Sequence, residues 1–193
     1  GKITLIDHDV VEETNLQRQI LYTSEDLGLY KTDVACKRLK VLNPDINIQG
    51  YNIRFTNNSI HLMKDVDVII DATDNFESRS LINEISLLLK KPLVMGAAIK
   101  MQGQVAVFRN DLCDMPCYNC LYDDIEDEAS SCIDSGVLST LTGIIGSLQA
   151  TEAIKTLIGF GESLESKLLL VDLKHMSFRT VKIVKDNKCK ICN

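Results

Sequence analysis

The spacing of apolar residues at the start of the chain predicts two strands with a helix between them. Residues 2–7, KITLID, form a short β-branched run that closes on an acid, and residues 46–53, INIQGYNI, predict a second strand. Residues 31–44, KTDVACKRLKVLNP, carry apolar positions among charges, which indicates a helix that Pro44 stops. This segment therefore has the order of one strand, helix and strand unit.

The middle of the chain continues this alternation. Residues 66–75, VDVIIDATDN, begin almost continuously apolar, as in a strand that is covered on both faces. Residues 80–90 place apolar side chains at helical spacing, and residues 92–99, PLVMGAAI, predict another buried strand. The order strand, helix, strand, helix, strand predicts the α/β class, with a doubly wound, Rossmann-like and mostly parallel sheet.

The second half of the chain has a different character. Residues 103–108, GQVAVF, predict a strand, residues 109–135 form an acidic, cysteine-rich loop region, and residues 138–158 predict one long helix. Two further runs, 167–173 and 177–184, predict antiparallel C-terminal strands that form a hairpin or a sheet extension. We expect the apolar stripe of the long helix to be core, and its members are Leu141, Ile144, Ile145, Leu148, Ile154, Leu157 and Ile158.

Composition and charge argue against several classes of protein. Hydrophobic residues make up 45% and charged residues 25% of the chain, and the formal net charge of −6 argues against broad binding to nucleic-acid backbones. No apolar run approaches the roughly 20 residues of a membrane-spanning helix, and no signal-peptide pattern is present. The seven cysteines are odd in number and include two CxxC pairs, which favours metal binding in a reducing compartment over disulfides. We therefore expect a soluble, cytoplasmic protein.

The two CxxC pairs predict a metal site. Cys117 and Cys120, in PCYNC, have the same spacing as Cys189 and Cys192, in CKIC. Four thiolates at about 2.3 Å from the ion make a closed tetrahedral zinc site, which leaves no position open for water and is therefore structural. Such a site would tie the last residues to the loop region before the long helix. Two redox-active pairs and a coincidence of spacing are the alternatives, and Cys113 is a poorer ligand because its spacing is wider.

Polar residues follow two of the predicted strands. Asp7 ends the first strand, and Asp74 and Asn75 follow the apolar run that begins at residue 66. Doubly wound sheets bind ligands outside the carboxyl ends of their strands, and an acid closing the second strand of a dinucleotide-type fold bonds ribose hydroxyls about 20 residues after a glycine loop. Only six residues precede Asp7, and the chain has no GxGxxG motif. We therefore expect a fragment that begins one strand late, without its glycine loop.

Cationic and amide side chains complete a candidate nucleotide site. The segment TNLQRQ contains Asn15, Arg18 and Gln19, and Lys31 opens the next predicted helix. An arginine fork and a lysine charge suit a triphosphate, because they bond its oxygens and neutralise charge on the leaving pyrophosphate. Asp74 suits magnesium, which takes one or two carboxylates with phosphate oxygens and water. Each feature also has an ordinary interpretation, since loop arginines are commonly solvated and Asp-Asn after a strand is often a turn or helix cap.

Longer motifs occur in one order along nearly the whole chain. They are LIDHDVVEETNLQRQ, GLYKTDVACKRLKVLNP, DATDNFESR, GQVAVF, PCYNC, GVLSTLTGIIGSLQATEAIK and CKIC. With them the chain resembles the MoeB/ThiF family of adenylyltransferases, relatives of the ubiquitin-activating enzymes. The resemblance implies that residues 1–193 are a single adenylation domain, truncated at its N-terminus, in which residues 109–135 are the crossover and zinc loop region. The family's first strand, its glycine-rich loop and an arginine that reaches the other subunit's site are missing.

The resemblance also implies a reaction. Members use ATP and magnesium to adenylate the C-terminal glycine of a small ubiquitin-like sulfur carrier of the MoaD or ThiS kind, in molybdopterin or thiamine biosynthesis, and they release pyrophosphate. The attacking carboxylate is already ionised, so the site needs positioning and charge neutralisation rather than a general base. The residues implied by motif are Asp7 for the ribose, Asn15, Arg18 and Lys31 for the phosphates, Asp74 for magnesium, and Gln19 with Asn75 in support.

Further implied features concern the loop region and the partners. Cys132, in SSCIDSG, falls where some members carry a cysteine that forms a covalent linkage, although the acids around it disfavour a reactive thiolate and free cysteines are commonly inert. The acidic run YDDIEDEASS is interpreted as a solvated crossover loop, with docking of the carrier as the alternative. Because the family is typically dimeric, we expect a homodimer, with part of the long helix as a candidate interface.

Two other functions fit the same fold. An NAD(P)-dependent oxidoreductase is one, because fold alone does not determine chemistry. Arg18 and Lys31 disfavour it, as does the lack of an evident acid for hydride transfer. The other is a non-catalytic, zinc-stabilised binding module, which the missing glycine loop favours. For the fragment by itself, we expect weak or no ATP binding.

Overall fold

The structure, a computed structural model, describes residues 1–122 and 136–193. These residues divide into two compact units, 1–62 and 63–193. Among the helices in the described ranges, none is both long and apolar enough to span a membrane.

The first unit is built on a parallel pair of strands, as the sequence predicts. Strand β1 (Lys2–Ile6) pairs with β2 (Asn47–Tyr51), and helix α1 (Lys31–Leu42) connects them. A helical crossover is the usual connection between parallel strands. Three short 3-10 helices lie along the chain up to the start of the second unit: Glu13–Asn15, Ser24–Asp26 and Asn57–Met63.

Helix α1 lies close to β2 because Gly50 has no side chain. A Cβ atom at Gly50 would lie 2.8 Å from Cys36 Sγ and 3.1 Å from Thr32 Cβ, closer than side chains normally pack. A glycine inside a strand often marks such a close approach. Val34 and Ala35 of the same helix are buried, so α1 presents one apolar face to the core of this unit.

The second unit contains a five-stranded sheet in which each strand pairs with the next one along the chain. Its strands are β3 (Ile69–Asp71), β4 (Leu93–Ile99), β5 (Gln102–Phe108), β6 (Lys167–Asp172) and β7 (Ser177–Lys182). β3 pairs with β4 in parallel, and the three later pairs are antiparallel. Parallel pairs combined with antiparallel C-terminal strands confirm the predicted Rossmann-like α/β class. The expectation of a mostly parallel sheet is wrong for this sheet, because three of its four strand pairs are antiparallel. β6 and β7 form a hairpin that also extends the sheet.

β3 is shorter than the predicted strand and is not covered on both faces. Only Ile69–Asp71 are in strand conformation; the side chains at 69 and 71 are buried, whereas Ile70 is 49% exposed. Successive side chains of a strand point to opposite faces, so these three residues have one covered and one open face. The expectation of full coverage is therefore wrong for Ile70.

In the described part of the second unit, three helices accompany the sheet. Helix α2 (Phe76–Leu89) connects β3 to β4, α3 (Tyr118–Leu121) is a single turn, and α4 (Ser139–Ile158) packs on β4 and β5. Gly159 ends α4 in the left-handed region, at φ 66°, where glycine is not strained.

The core of the second unit lies between α4 and the sheet, but the predicted stripe of α4 is only partly buried. Leu141 and Ile145 pack with Val105 and Val171, as expected. Toward the end of the helix the prediction is wrong, because the predicted core residues Ile154, Leu157 and Ile158 are 51%, 51% and 67% exposed, whereas the polar residues Gln149 and Glu152 are buried. Steps of three and four residues from position 145 lead to 149, 152 and 153, so the buried face continues through polar side chains that the apolar pattern does not mark.

This burial pattern predicts a clear difference between two leucines of α4. Leu141→Ala should lower the free energy of unfolding by about 2–5 kcal/mol, because Leu141 is fully buried and its removal leaves a cavity. Leu157→Ala, on the exposed face, should change it by less than about 0.5 kcal/mol. Urea unfolding followed by circular dichroism measures both. Equal losses for the two variants would contradict the assignment of the buried face.

Candidate functional site

Asp7 lies directly after β1, as the sequence predicts. Its backbone N–H donates to Tyr51 O at 3.2 Å, which continues the pairing with β2 beyond the strand. Its Oδ1 accepts from the backbone N–H of Asp9 at 2.9 Å and so forms a tight turn. Asp7 is half-buried at the carboxyl end of a parallel strand, the edge at which such sheets bind ligands.

The predicted phosphate-binding segment is held by local hydrogen bonds. Asn15 is buried, and its Oδ1 accepts from the backbone N–H of Glu12 at 3.1 Å. Arg18 is half-buried, and its Nη1 donates to Thr14 O at 2.8 Å. Asn15 therefore shapes the turn that carries Arg18.

Gln19 has an unsatisfied polar atom. Its Oε1 is buried and has no hydrogen-bond partner within the described residues. Buried polar atoms are normally hydrogen-bonded, so this oxygen is open to a donor from a ligand or a water molecule.

Lys31 begins α1, as predicted, but its charge already has a partner. Its side chain is 10% exposed, and Nζ lies 2.7 Å from Asp9 Oδ2. The hydrogen bond from Lys31 holds the pKa of Asp9 below its usual value. Sequence reasoning missed Asp9; the available signal was its position two residues after the strand-closing Asp7.

Asp74 and Asn75 lie in the loop between β3 and α2 and have different local roles. Asn75 is the N-cap of α2, and its Oδ1 accepts from the backbone N–H of Ser78 at 2.9 Å. The helix-cap interpretation therefore holds for Asn75. Asp74 is exposed, and its Oδ1 is 3.4 Å from Asn75 Nδ2. Its carboxylate is thus accessible.

The residues around Asp74 form a hydrogen-bonded frame that sequence reasoning missed. Asp71 is buried, and its Oδ1 accepts from the backbone N–H and the hydroxyl of Thr73 at 2.9 and 2.7 Å. Arg79 Nη2 donates to Thr73 O at 2.6 Å. Burial raises the pKa of Asp71. Asp71 Oδ2 and Tyr118 OH are buried without a hydrogen-bond partner in the described parts of the chain.

The structure brings the four predicted cysteines together. The Sγ atoms of Cys117 and Cys189 are 3.8 Å apart, those of Cys117 and Cys120 4.0 Å, and those of Cys120 and Cys192 3.5 Å. All four Sγ atoms lie within 4.8 Å of one another. A tetrahedron with bonds of about 2.3 Å has edges of about 3.8 Å, so these sulfurs could hold zinc. Cys113 is exposed and is not one of these four.

A buried amide network is bonded to the turn that carries Cys117 and Cys120 and was not predicted. Asn83 of α2 is fully buried, and its Oδ1 accepts from Tyr118 N at 3.2 Å and from Asn110 Nδ2 at 3.1 Å. Its Nδ2 donates to Asn119 Oδ1 at 2.9 Å. The turn that carries Cys117 is therefore bonded to α2. A lone asparagine among apolar residues of a predicted helix was the available sequence signal.

The predicted nucleotide residues divide between the two units. Asp7, Asn15, Arg18, Gln19 and Lys31 belong to residues 1–62, whereas Asp74 and Asn75 belong to residues 63–193. Their convergence on one nucleotide remains a prediction. Cys132 and most of the acidic run lie outside the described residues.

The fold and these residues define a Rossmann-like α/β protein with polar groups at the carboxyl ends of parallel strands and a four-cysteine cluster. The crystal structure of E. coli MccB with ATP shares this fold, with a TM-score of 0.87 and 21% sequence identity over 100% of this chain and 59% of that one. The ThiF family model matches residues 1–192. The chain belongs to the ThiF family.

Two curated relatives extend the comparison. The chain is 41% identical to the sulfur carrier protein adenylyltransferase of Thermus thermophilus and covers 73% of that protein. It is 40% identical to the adenylyltransferase and sulfurtransferase MOCS3 of Culex quinquefasciatus, of which it covers 44%. Both matches span 100% of the chain.

The ion pair of Lys31 predicts a pH-dependent contribution to stability. Asp9→Asn should lower the free energy of unfolding at neutral pH, because it leaves a nearly buried ammonium without its partner. The pKa of Asp9 is lowered from 3.8, so this contribution is present above that value and is lost as the pH falls through the lower pKa of the folded state. Urea unfolding of both proteins at neutral pH and near pH 2 measures the difference.

The exposed Asp45 provides a matched control in the same unit. Asp45→Asn should leave stability unchanged at both pH values. A deficit of Asp9→Asn that is as large near pH 2 as at neutral pH would contradict the ion-pair explanation.

Proposed function

We propose that this chain is the adenylating part of an enzyme that activates a ubiquitin-like sulfur carrier with ATP. The observation that carries the proposal is the 41% identity, over the whole chain, to a protein named sulfur carrier protein adenylyltransferase. Family membership over residues 1–192 supports the same function. The NAD(P)-dependent oxidoreductase alternative is not favoured, because both curated relatives described above are named as adenylyltransferases.

The proposed reaction is an in-line displacement at the α-phosphorus of ATP. An oxygen of the carrier's C-terminal glycine carboxylate forms a bond to that phosphorus, and the bond from the phosphorus to the bridging oxygen of pyrophosphate breaks. The products are the acyl adenylate and pyrophosphate. Catalysis then depends on alignment and on cations that neutralise the leaving group.

The residues of the first unit suit binding of ATP. Asp7 offers carboxylate oxygens to ribose hydroxyls at a strand end. In this proposal Arg18 and Lys31 bind phosphate oxygens, with Asn15 shaping the turn and Gln19 in support. The contact of Lys31 with Asp9 orients the ammonium, and a triphosphate would compete with Asp9 for it.

Asp74 suits magnesium because its carboxylate is exposed and has only a long contact to Asn75. A magnesium ion bound there would supply charge neutralisation for the triphosphate. Asn75 supports this role indirectly. As the N-cap of α2, it fixes the point at which the loop that carries Asp74 joins the helix.

We propose a structural zinc ion at Cys117, Cys120, Cys189 and Cys192. Sulfur distances of 3.5–4.0 Å fit the tetrahedron that zinc requires. Four sulfur ligands leave no open position, so the ion would stabilise the fold and take no part in adenylation.

The finer assignments are also proposals. They are a single adenylation domain, a homodimer, a cytoplasmic location, a carrier of the MoaD or ThiS kind that serves molybdopterin or thiamine biosynthesis, and a covalent role for Cys132 after adenylation.

Exchange of labelled pyrophosphate into ATP tests the proposed function. With the full-length protein and its cognate carrier, Arg18→Ala and Asp74→Ala should each reduce exchange by at least about 100-fold, because each removes charge that stabilises the transition state. Cys132→Ala should leave exchange intact, since its proposed role follows adenylation. Asp67→Ala, at an exposed acid before β3, is the matched control and should also retain exchange. Normal exchange in both Arg18→Ala and Asp74→Ala would refute the site.

The zinc site predicts a metal content that depends on four cysteines only. The purified protein should contain one zinc ion per chain by atomic emission, and Cys189→Ser should lose it together with thermal stability, because an incomplete ligand set binds weakly. Cys113→Ser, which removes an exposed cysteine outside the cluster, should keep both. Wild-type protein that loses its zinc without any change in melting temperature would contradict the proposal.

A further inference from the structure

Gln149 occupies a position of α4 where a core residue is expected. It continues the buried face of Leu141 and Ile145 and is 5% exposed. Its Nε2 donates to Asp71 O at 2.7 Å and to Val94 O at 3.3 Å. One amide group therefore bonds both strands of the parallel pair β3 and β4, and it does so at the last residue of β3.

Gly96 makes this contact possible. A Cβ atom at Gly96 would lie 2.3 Å from both Cδ and Oε1 of Gln149 and 2.7 Å from its Nε2. Real Cβ atoms essentially never come so close to another heavy atom, so any larger residue at 96 must displace the amide. The glutamine and the glycine thus form one structural unit.

The loop that starts at Asp71 is tied on its other side as well. Thr73 is bonded to Asp71 Oδ1, and its carbonyl accepts from Arg79. Asn75 caps α2. Asp74 lies between these hydrogen-bonded residues, and its side chain is exposed. The backbone on either side of Asp74 is therefore held by these bonds.

A purely apolar core would not need an amide at position 149. An amide buried at this position needs hydrogen-bond partners, because an unpartnered one costs roughly 1–3 kcal/mol. A leucine or methionine would fill similar space without that requirement. Unlike an apolar side chain, Gln149 makes directional hydrogen bonds, and its two bonds specify where the end of β3 lies relative to α4 and β4. The chain from that point to Asp74 is three residues long.

We propose that Gln149 is a positioning residue that acts on Asp74 through the carbonyl of Asp71. The inference rests on the proposed function, in which Asp74 binds the divalent cation of the nucleotide complex. Loss of the amide would let the end of β3 shift and would misplace the carboxylate. Metal affinity would fall, although no metal ligand had been changed.

Binding of Mn²⁺, a paramagnetic substitute for magnesium, tests this in the full-length protein. The ion is titrated against protein saturated with a non-hydrolysable ATP analogue and is followed by electron paramagnetic resonance. Gln149→Met and Gly96→Ala should each raise the Kd for Mn²⁺ by about 3- to 10-fold. This is less than the roughly 10- to 100-fold loss expected when a group bonded directly to a metal ligand is removed, because Gln149 acts through the backbone. Asp74→Ala should raise it further.

Two further variants change other contacts of α4. They control for a general loss of packing between α4 and the rest of the unit. Gly103→Ala introduces a Cβ atom 2.5 Å from Ile145 Cδ1, a clash like that at Gly96 but with a side chain other than Gln149. Glu152→Gln alters a buried side chain that bonds Lys155 and the backbone N–H of Leu164. Both should reduce thermal stability and leave the Kd for Mn²⁺ within about 2-fold of wild type, because the contacts they change are with Ile145, Lys155 and Leu164 rather than with the end of β3.

The outcomes separate this inference from the proposed function. If Asp74→Ala weakens Mn²⁺ binding but Gln149→Met and Gly96→Ala behave like the two controls, the positioning role is refuted and the metal assignment stands. If Asp74→Ala has no effect, the metal assignment fails, and the positioning role fails with it. If Gln149→Met does not fold, Gly96→Ala decides the question, because it displaces the amide without removing it.

Discussion

The close approach of α4 to the backbone of β4 and β5 is the constraint on which the rest of the second unit depends. Two glycines permit it: Gly96 leaves room for the Gln149 amide, and Gly103 leaves room for Ile145. At this separation Leu141 and Ile145 can fill the space over the sheet with Val105 and Val171. The same separation lets a side chain of the helix reach the end of β3, which is only three residues long. Packing in the core and the geometry of the Asp74 loop therefore have a common origin.

The two cationic side chains of the candidate site already have hydrogen-bond partners. Lys31 is bonded to Asp9, and Arg18 is bonded to the chain that carries it. Such contacts already restrict these long side chains before a ligand binds. Less conformational entropy is therefore lost when the ligand binds. The cysteine cluster is also held by the fold, because the turn that carries Cys117 and Cys120 is bonded to the buried Asn83 of α2. Helix α2 thus begins at the Asp74 loop and is bonded near its middle, through Asn83, to the turn that carries Cys117.

Much of this could be predicted from the sequence, and the failures have identifiable causes. The positions of α1 and of most strands were predicted correctly, because periodicity is a local signal, whereas β3 is shorter than predicted and its Ile70 is exposed. The CxxC spacing also identified the four cysteines that lie together. The buried face of α4 was wrong at Ile154, Leu157 and Ile158, since the true face continues through Gln149 and Glu152 and hydrophobicity cannot mark buried polar residues. The partner of Lys31 was missed because it comes from a residue 22 positions away. The joint placement of Arg18, Lys31 and Asp74 around one nucleotide, and the role of Cys132, remain predictions.

Intact-mass spectrometry tests most directly whether this protein forms an acyl adenylate on a carrier protein. The full-length protein is incubated with ATP, magnesium and purified ubiquitin-like carriers, and the reaction is quenched in acid. We expect one carrier to gain the mass of a single adenylyl group, with no gain when its terminal glycine is removed. Absence of any adenylylated carrier, with protein that is folded and binds ATP, would contradict the account.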